Sequence, residues 1–267
     1  MIIDFHTHVF PDKIAKPTID SLKERSNGNP CTDGTVVGLL KAIDRAGIDM
    51  AVALPVLTKP TQFDSVTKFV CGINANPEYK KIISFGGIHP ECDDIDGKLK
   101  LLKDNGIKGV KIHPDYQNSF INIDGYVNIL KCAKKYDLIV VTHAGIDDGY
   151  PGETVKCPPE MVLEVIQEVK YNKFVLAHYG GHKQWDTVLN VLAGQNVYFD
   201  TAFTLHEISE KTFKDILYKH GDDRILFATD CPWREIKSDV EILKSYVLDK
   251  ETEEKIFYKN AIKLLNL

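Results

Sequence analysis

The sequence predicts a closed (β/α)8 barrel. Three observations carry the prediction. Eight short runs rich in Val, Ile and Phe alternate with longer stretches of helical periodicity. The runs are apolar on both faces, as parallel strands covered by helices must be. The chain has 267 residues, about the length one such barrel needs, and the expectation is a single barrel domain over residues 1–267.

The first run is MIIDFH. It is followed by Met50–Val56, Ile82–Pro90, Ile107–Pro114, Leu138–Gly145, Lys173–Gly181, Asn196–Ala202 and Arg224–Pro232. Between them, Val36–Ala46, Gly97–Lys103, Tyr126–Tyr136, Met161–Tyr171, Asp186–Leu192 and Ser209–Lys219 place Leu, Ile or Val at helical spacing. Gly47, Gly106 and Gly221 stand where a helix must stop before the next strand. A last helix, Thr252–Leu267, closes the chain. The connections after strands one and five, PDKIAKPTIDSLKERSNGNPCTDG and DDGYPGETVKCPPE, are rich in Gly, Pro and charge. They read as segments over the barrel mouth. The alternative architecture is an open doubly wound sheet, but no strand–GxGxxG–helix or Walker pattern supports a nucleotide-binding version.

Composition excludes several classes. Hydrophobic residues at 43% and charged residues at 27% are globular proportions. A net charge of -5 without a basic stripe argues against nucleic acid. No apolar run is long enough to cross a membrane, and no secretory pattern opens the chain, so a cytoplasmic location is expected. The six cysteines form no CxxC pair and read as free thiols, with Cys231 set apart by its position next to Asp230.

The polar residues cluster at the C-terminal ends of the strands, where barrel enzymes build their sites. They are His6 and His8, His89, Lys111 and His113, His143, His178, Asp200, and Asp230. His6 and His8 are two apart, so strand alternation turns both to one side. His143 and Asp230 reach the same mouth. Three imidazoles and a carboxylate are a ligand set for Zn2+ or another divalent metal. Asp4 reads either as an acceptor for an imidazole N–H or as a buried polar residue on the barrel floor. Tyr116, Gln117, Tyr150, Tyr179 and Trp233 are close enough in sequence to line the pocket.

The motifs GVKIHPDYQ, THAG, AHYGG, FATDCPW and IFYKNAIKLL, with the HTH pair on strand one, resemble the amidohydrolase superfamily and, in detail, its amidohydrolase-2 branch of TIM-barrel enzymes. The resemblance runs from Asp4 to about Leu265. It implies that His6, His8, His143 and Asp230 are metal ligands, with Asp230 also handling a proton. His178 is implied as an acid or base, or as a ligand to a second metal in two-metal members. His113 and Lys111 are implied as substrate-binding residues, Lys111 offering a positive charge to an anionic group. The expected cofactor is one divalent ion, Zn2+, with a second ion and a carboxylated Lys111 as the two-metal variant.

The expected partner is a small-molecule substrate, with neither nucleic acid nor membrane, and the oligomeric state is open. The leading expectation is hydrolysis of an amide, ester or lactone by activated water, with Asp230 as general base. The alternative is non-oxidative decarboxylation or hydration of an aromatic or unsaturated acid. A TatD-like nuclease is disfavoured because strand four carries Lys111 and His113 where that branch has a glutamate. A barrel that binds without catalysis is disfavoured because the whole ligand set is present.

Overall fold

The computed structural model describes residues 1–26 and 28–267; Asn27 and the side chain of Ser26 lie outside the described residues. The strands are β1 Ile3–Thr7, β2 Met50–Ala53, β3 Ile82–Ser84, β4 Gly86–Gly87, β5 Gly109–Ile112, β6 Ile139–Thr142, β7 Phe174–Leu176, β8 Tyr198–Asp200 and β9 Ile225–Leu226. β3 and β4 are two pieces of one stave joined at Phe85, so nine strands make the eight expected staves. All neighbours pair in parallel, in the order β1-β2-β3 and β4-β5-β6-β7-β8-β9.

The last stave returns to the first. Phe5 N–H donates to the Phe227 carbonyl at 2.9 Å, Asp230 N–H to the His6 carbonyl at 2.9 Å and His8 N–H to the Cys231 carbonyl at 2.7 Å. That ring of bonds closes the predicted barrel.

The helices are α1 Asp12–Ser26, α2 Val36–Ala46, α3 Phe63–Ala75, α4 Ile95–Asp104, α5 Asp124–Tyr136, α6 Pro159–Val169, α7 Trp185–Val191, α8 Glu210–His220, α9 Ile236–Ser245, α10 Lys250–Glu254 and α11 Asn260–Leu265. α2 has the predicted bounds. Its Thr35 side chain accepts from Gly38 N–H, and Gly47 ends it at φ 71°. The segment expected as a Gly/Pro-rich connection after β1 holds α1 instead. Proline and charge masked its narrow buried stripe, Ala15 and Ile19. α3 and α9 were not anticipated either. The predicted last helix is interrupted by a π turn at Lys255–Lys259.

Ile3, Phe5, Val52, Leu54, Phe85, Ile139, Val141, Val175 and Leu226 fill the barrel axis. Ala261, Leu264 and Leu265 of α11 pack into the same cluster and stopper the barrel's N-terminal end. A larger apolar layer lies between strands and helices. Among the described residues no helix is long and apolar enough to cross a membrane. All six cysteines are free thiols.

His220 illustrates a histidine used for architecture. It stacks on Phe199 at 3.9 Å, faces the Val197 carbonyl through Nε2 at 3.0 Å and accepts from Gly194 N–H at 3.2 Å. Burial lowers its pKa to about 4. The unfolded chain therefore binds a proton that the folded chain refuses between pH 4 and about 6.5. The stabilisation is complete above about pH 6.5 and is lost as pH falls toward 4. Urea unfolding at pH 7 and pH 5 tests this. The stability lost on acidification should be smaller in His220→Gln than in the parent by about 1–2 kcal/mol. Equal losses in both proteins would contradict it.

Candidate metal centre and active site

All seven residues singled out for the site line one cavity of about 990 Å³ at the C-terminal end of the barrel: His6, His8, Lys111, His113, His143, His178 and Asp230. Helices α1 and α3 supply its roof through residues such as Pro17, Thr18, Val66 and Phe69.

The tautomers of three histidines follow from their outer partners. The Nδ1 of His8 faces the Leu54 carbonyl at 2.8 Å, and that of His178 faces the Ala202 carbonyl at 2.9 Å. A carbonyl only accepts, so Nδ1 carries the proton in both and Nε2 is left as a lone pair. The Nδ1 of His6 faces Asp200 Oδ2 at 2.8 Å, which imposes the same tautomer.

The Nε2 atoms of His6 and His8 lie 3.2 Å apart. Asp230 Oδ1 is 3.0 Å from His8 Nε2 and 3.4 Å from His6 Nε2. Three lone pairs thus face one another. Donors about 2.1 Å from a shared ion stand about 3.0–3.4 Å apart, so this triangle fits a divalent cation. Lys111, wholly buried, donates from Nζ to His6 Nε2 at 3.1 Å.

His143 is placed differently. Its Nδ1 meets His178 Nε2 at 2.9 Å, and its ring stacks on His113 with centroids 4.4 Å apart. Its Nε2 is buried without a hydrogen bond, 3.8 Å from the equally unpartnered Asp115 Oδ2. Hence the structure groups His6, His8 and Asp230 in one cluster and His113, His143 and Asp147 in a neighbouring one.

Burial opposes ionisation of Asp230, yet the close approach of the His8, His6 and His178 imidazoles outweighs it and holds the carboxyl well below the usual range. Burial pushes His178 down to about 4 and Lys111 down to about 8. It pushes Asp147 up to about 7 and Asp115 up to about 6.

Several residues at the site had not been assigned roles. Asp200 orients His6 and also accepts His178 N–H through Oδ1 at 3.0 Å. His178 itself sits at φ 58°, a left-handed conformation rare for such a residue. Asp147 and His182 line the cavity. So does Arg25 of α1, which donates to the Tyr150 hydroxyl at 3.0 Å and lies over the rings of Tyr116 and Tyr150. Gly145, at φ 85°, lets the chain after His143 run against the backbone of His182, where a side chain would collide.

Tyr116, Tyr150 and Trp233 line the cavity as expected. Gln117 and Tyr179 do not. Gln117 bridges the Leu57 and Ile88 carbonyls, and Tyr179 stacks on Phe213 inside the core.

A parallel barrel whose mouth gathers imidazoles and a carboxylate around one point has the architecture of a metal-dependent barrel enzyme. The family model described as amidohydrolase matches residues 93–267. The chain belongs to the amidohydrolase family, in its amidohydrolase-2 branch. No curated protein sequence matches it.

Among solved structures it is similar to a TIM-barrel protein from Bordetella bronchiseptica, with TM-score 0.78 and 16% identity over 99% of this chain and 98% of that one. It is also similar to 5-carboxyvanillate decarboxylase from Novosphingobium aromaticivorans, a structure holding manganese and 4-hydroxy-3-methoxy-5-nitrobenzoic acid. There the TM-score is 0.72 and the identity 15%, over 100% and 96% of the two chains. A third, 2,6-dihydroxybenzoate decarboxylase from Rhizobium, has TM-score 0.69 and 15% identity over 99% and 98%. At these identities the likeness is one of fold.

Proposed function

We propose that this enzyme is a metal-dependent, non-oxidative decarboxylase of a small aromatic or unsaturated carboxylic acid. The observation that carries the reading is the make-up of the mouth. An aromatic wall of Tyr116, Tyr150, Phe203 and Trp233, with the cations Lys111 and Arg25, surrounds the candidate ligands. Such a pocket accepts a flat ring bearing an acid. The decarboxylases of the same fold act on ligands of this kind, which supports the choice over hydrolysis of an amide, ester or lactone.

His6, His8 and Asp230 would hold the ion, with His143 adjacent. A bound divalent ion, Mn2+ or Zn2+, supplies Lewis-acid polarisation of a substrate oxygen. Lys111 attracts the carboxylate that will leave. Asp230, ionised in the free site, takes a proton from an acidic group of the substrate and returns it to the carbon that bears the carboxylate. The carbon–carboxylate bond then breaks and its electron pair stays with the new C–H unit. R–COO− and one proton thus become R–H and CO2. His178, neutral and fixed by Ala202, positions or shuttles that proton.

The test is an assay of the Mn2+- or Zn2+-loaded protein against 2,6-dihydroxybenzoate, other hydroxybenzoates, lactones and amides. Metal-dependent CO2 release from an aryl acid, without lactone or amide hydrolysis, is expected. Hydrolysis without CO2 release would restore the hydrolase reading, which the ionised Asp230 as a base for water also suits.

A further inference from the structure

We propose that Asp4 is a positioning residue. Through Thr229 it holds Asp230 in the backbone conformation that aims its carboxylate at His6 and His8. The inference rests on the reading of Asp230 as a metal-site residue.

Asp4 is fully buried, and among the described residues no cation lies within ion-pair distance of it. A buried carboxylate without a countercharge is costly and persists where its acceptor capacity is used. Here it is used three times. Oδ1 accepts His6 N–H at 3.2 Å and Thr229 N–H at 3.1 Å, and Oδ2 accepts the Thr229 hydroxyl at 2.6 Å. Because the hydroxyl proton goes to Asp4, the Thr229 oxygen is free to accept Cys231 N–H at 3.1 Å.

Of the residues on either side of Asp230, Thr229 is thus tied to the carboxylate directly and Cys231 through the Thr229 hydroxyl. Between them Asp230 adopts φ 69°, a left-handed conformation that side chains other than glycine adopt at a cost. The same carboxylate also grips the backbone of His6. One buried group thus fixes two corners of the donor triangle from behind, without touching the ion. The acceptor for the His6 imidazole is Asp200, which leaves Asp4 free for this task.

The experiment compares the full-length parent with Thr229→Val, Thr229→Ser and Asp4→Asn. Each protein is stripped of metal and titrated with Mn2+, the free ion being followed by electron paramagnetic resonance. Each is also loaded with Co2+ to record its visible spectrum, which reports ligand geometry.

The clamp predicts that Thr229→Val, which removes only the hydroxyl, weakens Mn2+ binding about 10- to 100-fold and alters the Co2+ spectrum. Thr229→Ser should restore both to within about threefold, and Asp4→Asn should fall with Thr229→Val. A merely structural role would lower the melting temperature and leave the affinity and spectrum of the folded protein unchanged. Mn2+ affinity within twofold of the parent and an unaltered spectrum, in both Thr229→Val and Asp4→Asn, would overturn the clamp alone. A parent that takes up no Mn2+ would overturn the metal-centre reading, and the clamp with it.

Discussion

Replacing Asp230 by Asn should reduce turnover by about 10³-fold or more while leaving the fold intact. In the proposed mechanism the Asp230 carboxylate has two tasks. Its Oδ1 completes the donor triangle with His6 and His8, and the carboxylate is proposed to carry the proton. General acid–base catalysis alone contributes about 10²–10⁴-fold. An amide can still offer one oxygen to the cluster, but it cannot accept and return a proton. The side chain keeps its size, and Asn tolerates a left-handed backbone as Asp does, so melting temperature should change little. Single-turnover assays with the best substrate from the screen, alongside circular dichroism, decide the matter. Activity within tenfold of the parent would move the proton role to His178.

Chelation should abolish activity, and adding back Mn2+ or Zn2+ should restore it. The physical reason is the convergence of lone pairs. The outer partners Leu54, Asp200 and Ala202 fix the protons of His8, His6 and His178 on their far nitrogens. The near nitrogen of His178 faces His143, but those of His6 and His8 and the Asp230 carboxylate repel one another unless a cation lies among them. The Lys111 amine offers a proton to one of these atoms, His6 Nε2.

A ligand present at 1,000 times its dissociation constant stabilises the folded state by about 4 kcal/mol. For a chain of this size that is on the order of 8 °C in melting temperature. The stripped protein should therefore melt several degrees lower and recover with the ion. Equal melting temperatures with and without metal, and activity that survives chelation, would remove the ion from the mechanism.

The barrel and most of its mouth were legible because both follow from short-range rules. Strand runs, helical spacing and glycine stops are local. Once eight staves are granted, strand ends must meet at one mouth, and His6, His8, Lys111, His113, His143, His178 and Asp230 line a single cavity there. What stayed hidden depends on contacts between distant residues or on side-chain direction. Asp200 meets His6 across 194 positions. Gln117 is close to the mouth in sequence, but its amide is spent on buried carbonyls. Arg25 was passed over because Pro17 and the surrounding charge made α1 read as a loop.

The division of the histidines into two groups was likewise not readable from spacing. Alternation does bring the Nε2 atoms of His6 and His8 together, 3.2 Å apart, but it does not say that the His143 ring stacks on His113 and turns its Nδ1 to His178.

The α11 stopper has a consequence for traffic. With Ala261, Leu264 and Leu265 corking the far end of the barrel, the cavity lies at the other end, under α1 and α3. Whatever small molecule the enzyme turns over must enter and leave past those helices. Such a cul-de-sac orders events in time: the next molecule cannot be seated until the last has left.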